Sequence, residues 1–175
     1  MLNSNSINIG SGMAYPAGAL SNFHPYKFTF RNVPCNSMEG LLNSLKCEDP
    51  LRQAELCKLT GIKAKREGQR YNKAWKSCQT LWWNGDPYPR KSPEYQILLD
   101  DIFDSLATNE KFCAALLDTG DAMLCHSMGS RRETDTILTE NEFCNRLERI
   151  RARLVTLEMH RDVKELLKDR PKKFS

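Results

Sequence analysis

Apolar residues recur with helical spacing in residues 36–46. They stand at positions 38, 41, 42 and 45, which is the spacing of one stripe along a helix. Either residue 36 or residue 37 can cap that helix. At about 100° per residue, Glu39, Asn43 and Lys46 share the edge beside the stripe. The pattern predicts a packed helix with a carboxylate, an amide and an amine along one edge. Periodicity alone favours the ordinary interpretation, in which Glu39 and Lys46 are solvated.

The same patterns predict the other elements. Alternation and aromatic residues predict a short strand at residues 27–31, and residues 32–36 turn the chain into the helix. A capping box at residues 139–142 opens a last long helix, whose apolar stripe runs to Leu157. The remaining expected elements are helices at 51–59, 92–106 and 109–117, a buried strand at 122–126, and loops at 1–20, 75–89 and 127–136. We therefore predict a mainly α fold with a few short β-strands in a single compact domain.

Length and composition agree with one globular domain. The chain has 175 residues, of which 40% are apolar and 27% charged, and no apolar run approaches the roughly 18 residues that cross a bilayer. The N-terminal residues lack the features of a signal peptide, so we expect an intracellular, cytoplasmic protein. Seven cysteines without a Cys-x-x-Cys pair favour reduced thiols and no metal site.

The composition changes along the chain and predicts three parts. Residues 1–19 are rich in Asn, Ser and Gly and are expected to be a flexible segment, followed by the folded domain at 20–158. Residues 159–175 form a basic tail, which we expect to be frayed and solvated, with nucleic-acid contact as the alternative. The formal net charge of +4 permits a nucleic-acid or phosphate-bearing partner without requiring one.

Residues 63–70 are rich in lysine and arginine. A solvated basic face is the ordinary interpretation of such a segment. Gly68 with Lys65, Arg66 and Gln69 could instead hold a phosphate. Both interpretations stay open at the level of residue pattern.

Three tryptophans, at positions 75, 82 and 83, lie just before or within a segment that contains Asn-Gly and two prolines. Such a segment is a turn or loop. A tryptophan there can stack on a flat ligand or can fill the core. The pattern does not separate these roles.

Five segments, in the same order, resemble the NADAR family. Leu20-Ser21-Asn22-Phe23-His24-Pro25 is similar to the family's opening (F/L)SNF(Y/H)P motif. Glu39 and Lys46 keep the separation found in the family's S-x-E-H-x-(F/Y)-Q-A-x-K motif. The other matching segments are residues 64–69, residues 109–121, and Asn141 with Arg151. The resemblance covers residues 20–154 and implies a NADAR or YbiA-like domain.

Members of that family that are YbiA-like are N-glycosidases. The resemblance thus implies a hydrolase that cleaves the bond between ribose and a nitrogenous base, with ADP-ribosylated guanine, free or within DNA or RNA, as the expected substrate. Phosphorylated ribosylamino-pyrimidine intermediates of riboflavin synthesis are the other family substrates. We expect no cofactor, no metal and no membrane partner. The competing interpretation is a module that binds ADP-ribose or a nucleotide without turnover.

The resemblance also implies roles for individual residues. Glu39 would be the carboxylate catalyst, which stabilises positive charge on the sugar or activates water. Lys46 would either attack C1 of the sugar and form an imine or remain charged and pair with Glu39 or a phosphate. The residues expected to bind substrate are Ser21, Asn22, Phe23, Asn43, Lys65, Arg66, Gly68, Gln69, Trp83, Asn141 and Arg151.

The chain departs from the family pattern at several positions. Gly40 stands where the family commonly has His, and Asn43 where it has Gln. Residues 125–129 replace a D-x-x-W-G segment, which leaves Asp135 as the candidate for the missing acid. Trp83 is favoured over Trp75 as the aromatic that faces the base. The lost His and acid are what keep the binding module as an alternative.

Overall fold

The computed structural model describes the backbone of residues 5–168 and the side chains up to residue 162. Seven helices and six short strands lie within that part of the chain. The helices are α1 (Met38–Ser44), α2 (Pro50–Cys57), α3 (Gly61–Gln69), α4 (Asn72–Cys78), α5 (Pro93–Leu106), α6 (Glu110–Leu117) and α7 (Glu140–Lys168). The strands are β1 (Ser6–Asn8), β2 (Phe28–Phe30), β3 (Val33–Cys35), β4 (Thr80–Trp83), β5 (Asp86–Pro89) and β6 (Met123–Cys125). The predicted fold class is therefore confirmed.

Helix α1 lies at the centre of the fold and packs against both α2 and α3. Its predicted apolar stripe is buried, and none of the four side chains at positions 38, 41, 42 and 45 is more than 3% exposed. Burying one such side chain contributes about 1.5–3 kcal/mol, so this short helix is held mainly by its packing. Ser37 caps it, because its hydroxyl oxygen accepts a hydrogen bond of 3.0 Å from the Gly40 N–H.

The strands form three separate two-stranded sheets. β1 and β6 are parallel, although they lie at distant points of the chain. Residues 6–8 were expected to be loop, and that expectation is wrong because a three-residue strand is too short to show an alternating pattern. β2 and β3 form a hairpin in which Arg31 and Asn32 have positive φ. Residues 33–35 were predicted to be a turn, since Pro34 weakens the strand signal, but both strands of this sheet are edges and tolerate it.

The sequence patterns did not predict α3 and α4. The prediction of a loop at residues 75–89 is wrong, because the end of α4 and the strands β4 and β5 lie there. In α3 the buried side is made of Ala64 and Gly68, which are too small to give an apolar stripe, while Ile62 is exposed. Trp75 is buried on α4, and β4 pairs with β5 around Asn84 and Gly85, which both have positive φ. The Asn-Gly pair thus indicates the hairpin turn rather than a longer loop.

Helix α7 begins at the predicted capping box. The Glu142 carboxylate accepts a hydrogen bond of 2.7 Å from the Thr139 N–H, and the Thr139 hydroxyl accepts one of 3.2 Å from the Glu142 N–H. The predicted stripe ends at Leu154, because Leu157 is 59% exposed. Residues 159–168, expected to be part of a frayed tail, continue the helix, and residues 169–175 lie outside the described residues. None of the described helices is long and apolar enough to cross a membrane.

Candidate functional site

A cavity of about 420 Å³ opens beside the polar edge of α1, and we call it the Glu39 cavity. One part of its wall is the loop that carries Ser21, Asn22 and Phe23, and another is formed by residues of the segment from 126 to 138. Gly10 and Ser11 from the N-terminal segment, Lys65 from α3 and Phe143 from α7 complete it. The cavity has the size and mixed polarity of a small-ligand site.

Two side chains of α1 and that of Lys46, in the turn that follows the helix, form a hydrogen-bonded chain on one side of the cavity. The Asn43 amide nitrogen donates to Glu39 Oε1 at 2.9 Å and also to the Glu39 carbonyl oxygen at 2.9 Å. The Lys46 Nζ donates to Asn43 Oδ1 at 2.8 Å. The buried amide of Asn43 therefore stands between the carboxylate and the amine and fixes both.

Burial perturbs both ionisable groups of this chain. It raises the pKa of Glu39, although the Asn43 hydrogen bond and the nearby cations Lys46 and Lys65 oppose that rise. Burial also lowers the pKa of Lys46 to about 8, against the influence of Glu39, which favours the charged amine. A carboxylate and an amine with opposite shifts are suited to proton transfer or nucleophilic attack near neutral pH.

Close packing of α3 on α1 holds Asn43 in position. A Cβ atom added at Gly68 would lie 1.9 Å from Asn43 Oδ1 and 2.5 Å from Asn43 Cβ. Only glycine allows α3 to approach this closely. Gly68 was predicted to bind a phosphate, but the structure places it behind Asn43, and the cavity wall does not include it.

Gly40, where the resembling family has His, points away from the cavity. A Cβ atom there would lie 2.7 Å from the Leu59 carbonyl oxygen and 2.8 Å from that of Leu56. A larger residue would collide with backbone, so the position is specified by the packing of α1 on α2. Because position 40 faces α2, a side chain there would not enter the Glu39 cavity, so the change from His to Gly does not alter the cavity wall.

The residues predicted to bind substrate fall into two groups. The cavity brings together Glu39, Lys46, Ser21, Asn22, Phe23, Asn43 and Lys65. Asn22 connects the loop to α1, because its carbonyl oxygen accepts a hydrogen bond of 2.9 Å from the Glu39 N–H. Lys65 Nζ lies 5.7 Å from the centre of the Phe23 ring, a cation–π contact at the rim. Asp135 also lines the cavity and pairs with Arg132 at 2.8 Å.

The other predicted residues do not line the cavity. Arg66, Gln69 and Asn141 are exposed elsewhere on α3 and α7. Trp83 lies in the core, with its ring 4.8 Å from that of Phe30 between centroids. Arg151 donates to the Thr119 hydroxyl and the Ala122 carbonyl oxygen, at 2.7 and 2.8 Å, and so joins α7 to the segment before β6.

The sequence patterns missed His126, which lines the cavity. The only signal was its place at the end of the predicted strand at residues 122–126. Gly10 and Ser11 were missed as well, because the pairing of β1 with β6 brings them to the site from far along the chain. Among the residues that the structure describes, no three His, Cys, Asp or Glu side chains are grouped closely enough to hold a metal ion.

The fold and the cavity define a YbiA-like domain of NADAR type. The NMR structure of the E. coli protein YbiA matches 99% of this chain and 94% of its own chain, with a TM-score of 0.57 and 16% identity. The family model described as bacteriophage protein GP30.3 matches residues 14–152. The chain also resembles a protein of Enterobacteria phage T4, the uncharacterized 17.1 kDa protein in the Gp30-rIII intergenic region. The two are 33% identical over 147 residues, which is 83% of this chain and 96% of that protein.

The chain therefore belongs to the bacteriophage protein GP30.3 family, which is a NADAR-type family. The resemblance predicted from its sequence motifs is confirmed. The match to YbiA concerns the fold, since the two sequences are only 16% identical.

Proposed function

We propose that this protein is an N-glycosidase that hydrolyses the bond between a ribose and a nitrogenous base, with ADP-ribosylated guanine as the substrate. One observation carries the proposal: Glu39, Asn43 and Lys46 form a hydrogen-bonded chain beside a cavity of about 420 Å³. The NADAR-type family supports the reaction class. The guanine part of the proposal rests on the family resemblance alone.

Cleavage of an N-glycosidic bond develops positive charge on C1 of the sugar. The Glu39 carboxylate stabilises that charge and can accept a proton from an attacking water. Its raised pKa, which is a consequence of burial, makes it a stronger base than a solvated carboxylate. The hydrogen bond from Asn43 holds its Oε1 atom in a fixed position.

Lys46 is proposed as the nucleophile that forms an imine with C1. An amine attacks carbon only in its neutral form, and burial brings the pKa of Lys46 down to about 8. Lys65 and the residues Ser21, Asn22 and Phe23 are proposed to contact the substrate at the mouth of the cavity. The partner class is therefore ADP-ribose or an ADP-ribosylated base, alone or within a nucleic-acid strand.

The decisive experiment measures release of guanine by chromatography from ADP-ribosylated guanosine, with the wild type and with Glu39→Gln. Glutamine can still accept the Asn43 hydrogen bond but cannot take a proton, so we expect base release to fall about 100-fold or more with folding unchanged. Glu94→Gln, an exposed carboxylate on α5, is the matched control and should retain full activity. Unchanged activity in Glu39→Gln would refute the assignment.

Parallel incubations distinguish the alternatives. A phosphorylated ribosylamino-pyrimidine that is cleaved in place of the guanosine conjugate would redirect the proposal to riboflavin intermediates. Binding of free ADP-ribose, measured by calorimetry, with no base released from any of these compounds or from NAD, would identify a binding module instead.

A further inference from the structure

His126 lies directly after strand β6 and lines the Glu39 cavity. Its Nδ1 atom is 2.7 Å from the carbonyl oxygen of Ile9, a residue that directly follows β1. A carbonyl oxygen can only accept, so the Nδ1 atom carries a hydrogen and donates it. The neutral ring therefore has its lone pair on Nε2, and any proton that His126 gains or loses is at Nε2.

The ring is held on several sides. A Cβ atom at Gly129 would lie 2.8 Å from His126 Cδ2, so glycine is what lets the loop backbone pass beside the ring. The Phe143 ring stands edge to face with it at 5.4 Å between centroids. The backbone N–H of His126 donates to Glu140 Oε1 at 3.2 Å. With these contacts the imidazole has little freedom to rotate.

Nε2 is the one polar atom of this side chain that the described residues leave without a hydrogen bond, and the residue lines the cavity. His126 is also close enough to Glu39 for a charged imidazole to favour the carboxylate form, which lowers the pKa of Glu39 against the effect of burial. A carboxylate and an imidazole thus line one cavity. A base and an acid that act on the two sides of one bond need such a shared cavity.

We infer that His126 is the general acid of the reaction and protonates the departing base through Nε2. The inference rests on the N-glycosidase activity proposed above. Water forms the new bond to C1 and gives its proton to Glu39, the C1–N bond breaks with its electron pair on the base nitrogen, and that nitrogen takes the Nε2 proton. Glu39 then releases its proton, and His126 regains one from solvent. When Lys46 attacks C1 in place of water, the amine gives its proton to Glu39, the base still leaves with the proton of Nε2, and water then hydrolyses the imine to free the sugar and Lys46.

The test compares two substitutions at position 126 on ADP-ribosylated guanosine. His126→Asn keeps an N–H that can reach the Ile9 carbonyl oxygen but removes Nε2, whereas His126→Gln places an amide near the Nε2 position that cannot transfer a proton. A general acid requires that kcat fall about 100-fold in both variants, with thermal stability of His126→Asn unchanged. If the role of His126 were only to hold the β1–β6 junction, His126→Asn would retain the wild-type rate, and that result would overturn the inference.

A second substrate distinguishes a general acid from a residue that only holds the structure, because its leaving group needs no proton. In a 4-nitrophenyl conjugate of ADP-ribose the phenolate leaves without a proton, so both variants should cleave it at the wild-type rate. Equal losses on both substrates would overturn the inference while leaving the proposed function intact. A wild-type protein that releases neither leaving group would instead refute the proposed function and the role of His126 with it. If the wild type cleaves only the guanosine conjugate, the kcat of His126→Asn on that substrate is the test: a fall of about 100-fold supports the inference, and the wild-type rate overturns it.

Discussion

At the scale of single residues, Asn43 organises the site. Its amide has one donor end and one acceptor end, and the structure uses the first for Glu39 and the second for Lys46. The family resemblance implies Gln at this position. The shorter Asn side chain reaches both partners because Glu39 lies one turn before it on α1 and Lys46 lies three residues after it, in the turn that follows the helix.

Lys46 gives a pH-dependent prediction. Because its pKa is lowered to about 8, the fraction of neutral amine rises as the pH is raised from 6 toward 8 and levels off above about pH 9. We expect cyanoborohydride trapping of ADP-ribose to follow that rise, with mass spectrometry locating the adduct on Lys46. Lys46→Arg should lose the adduct, and Lys91→Arg, at an exposed position, should keep it. An adduct on another lysine would contradict the assignment of Lys46 as nucleophile.

At the scale of elements, the site depends on how closely α3 lies on α1. The contact involves Ala64 and Gly68 on α3, which present little side chain, and so the two backbones can approach. The sequence did not predict α3 for the same reason, because a helix that packs through small residues has no apolar stripe.

Gly68→Ala tests this packing. Alanine is the better helix former by about 1 kcal/mol, but its Cβ would lie 2.5 Å from Asn43 Cβ, where no side-chain rotation relieves the contact. We expect a net loss of about 1–3 kcal/mol in the free energy of unfolding, measured with urea, together with reduced base release. Gly12→Ala is the control, since a Cβ there meets no atom within 4 Å. A Gly68→Ala protein as stable as the wild type would show that α3 can move away from α1.

At the scale of the whole molecule, contacts between residues far apart in the chain assemble the cavity. β1 pairs with β6 across more than a hundred residues, which brings Gly10 and Ser11 to the site. Arg90 is fully buried and pairs with Glu142 of α7 at 2.7 Å, while its Nε donates to the Thr136 carbonyl oxygen at 2.8 Å. That pair fixes the segment from residue 126 to residue 138 against the helices.

The Glu142→Gln substitution tests how much the Arg90–Glu142 ion pair contributes to the free energy of unfolding. Burial would raise the pKa of Glu142, but hydrogen bonds from Arg90, Thr139 and Gln96 outweigh it and hold the pKa below the usual value of 4.5. The stabilisation is therefore present above about pH 4.5 and lost as the pH falls through the folded-state pKa. We expect Glu142→Gln to lose about 3–5 kcal/mol at pH 7, because it leaves Arg90 buried without a negative partner.

Urea denaturation at pH 7 and pH 3 checks this prediction. The difference between Glu142→Gln and the wild type should shrink at the lower pH, since the stabilisation from the ion pair declines as the pH falls below about 4.5. Glu158→Gln, at an exposed position on the same helix, should match the wild type at both values. A difference that stays constant with pH would show that the carboxylate charge is not what stabilises the contact.

The amino-acid sequence by itself determined most of the helices and the polar edge of α1. The stripe at positions 38, 41, 42 and 45, the Ser37 cap and the capping box at 139–142 are local signals, which depend on residues a few positions apart. The placement of Glu39 and Asn43 on one edge of α1 follows from the same geometry, whereas Lys46 was predicted on that helix and lies in the turn after it. The motif resemblance, also a property of the sequence, indicated the family.

Only the tertiary structure decided which distant residues join that edge. It brought His126 and Gly10 into the cavity through the β1–β6 pairing, and it placed Trp83 in the core. It also showed that Gly40 faces the backbone of α2. These outcomes depend on contacts between segments far apart in the chain, and such contacts leave no periodic signal in the sequence around each residue.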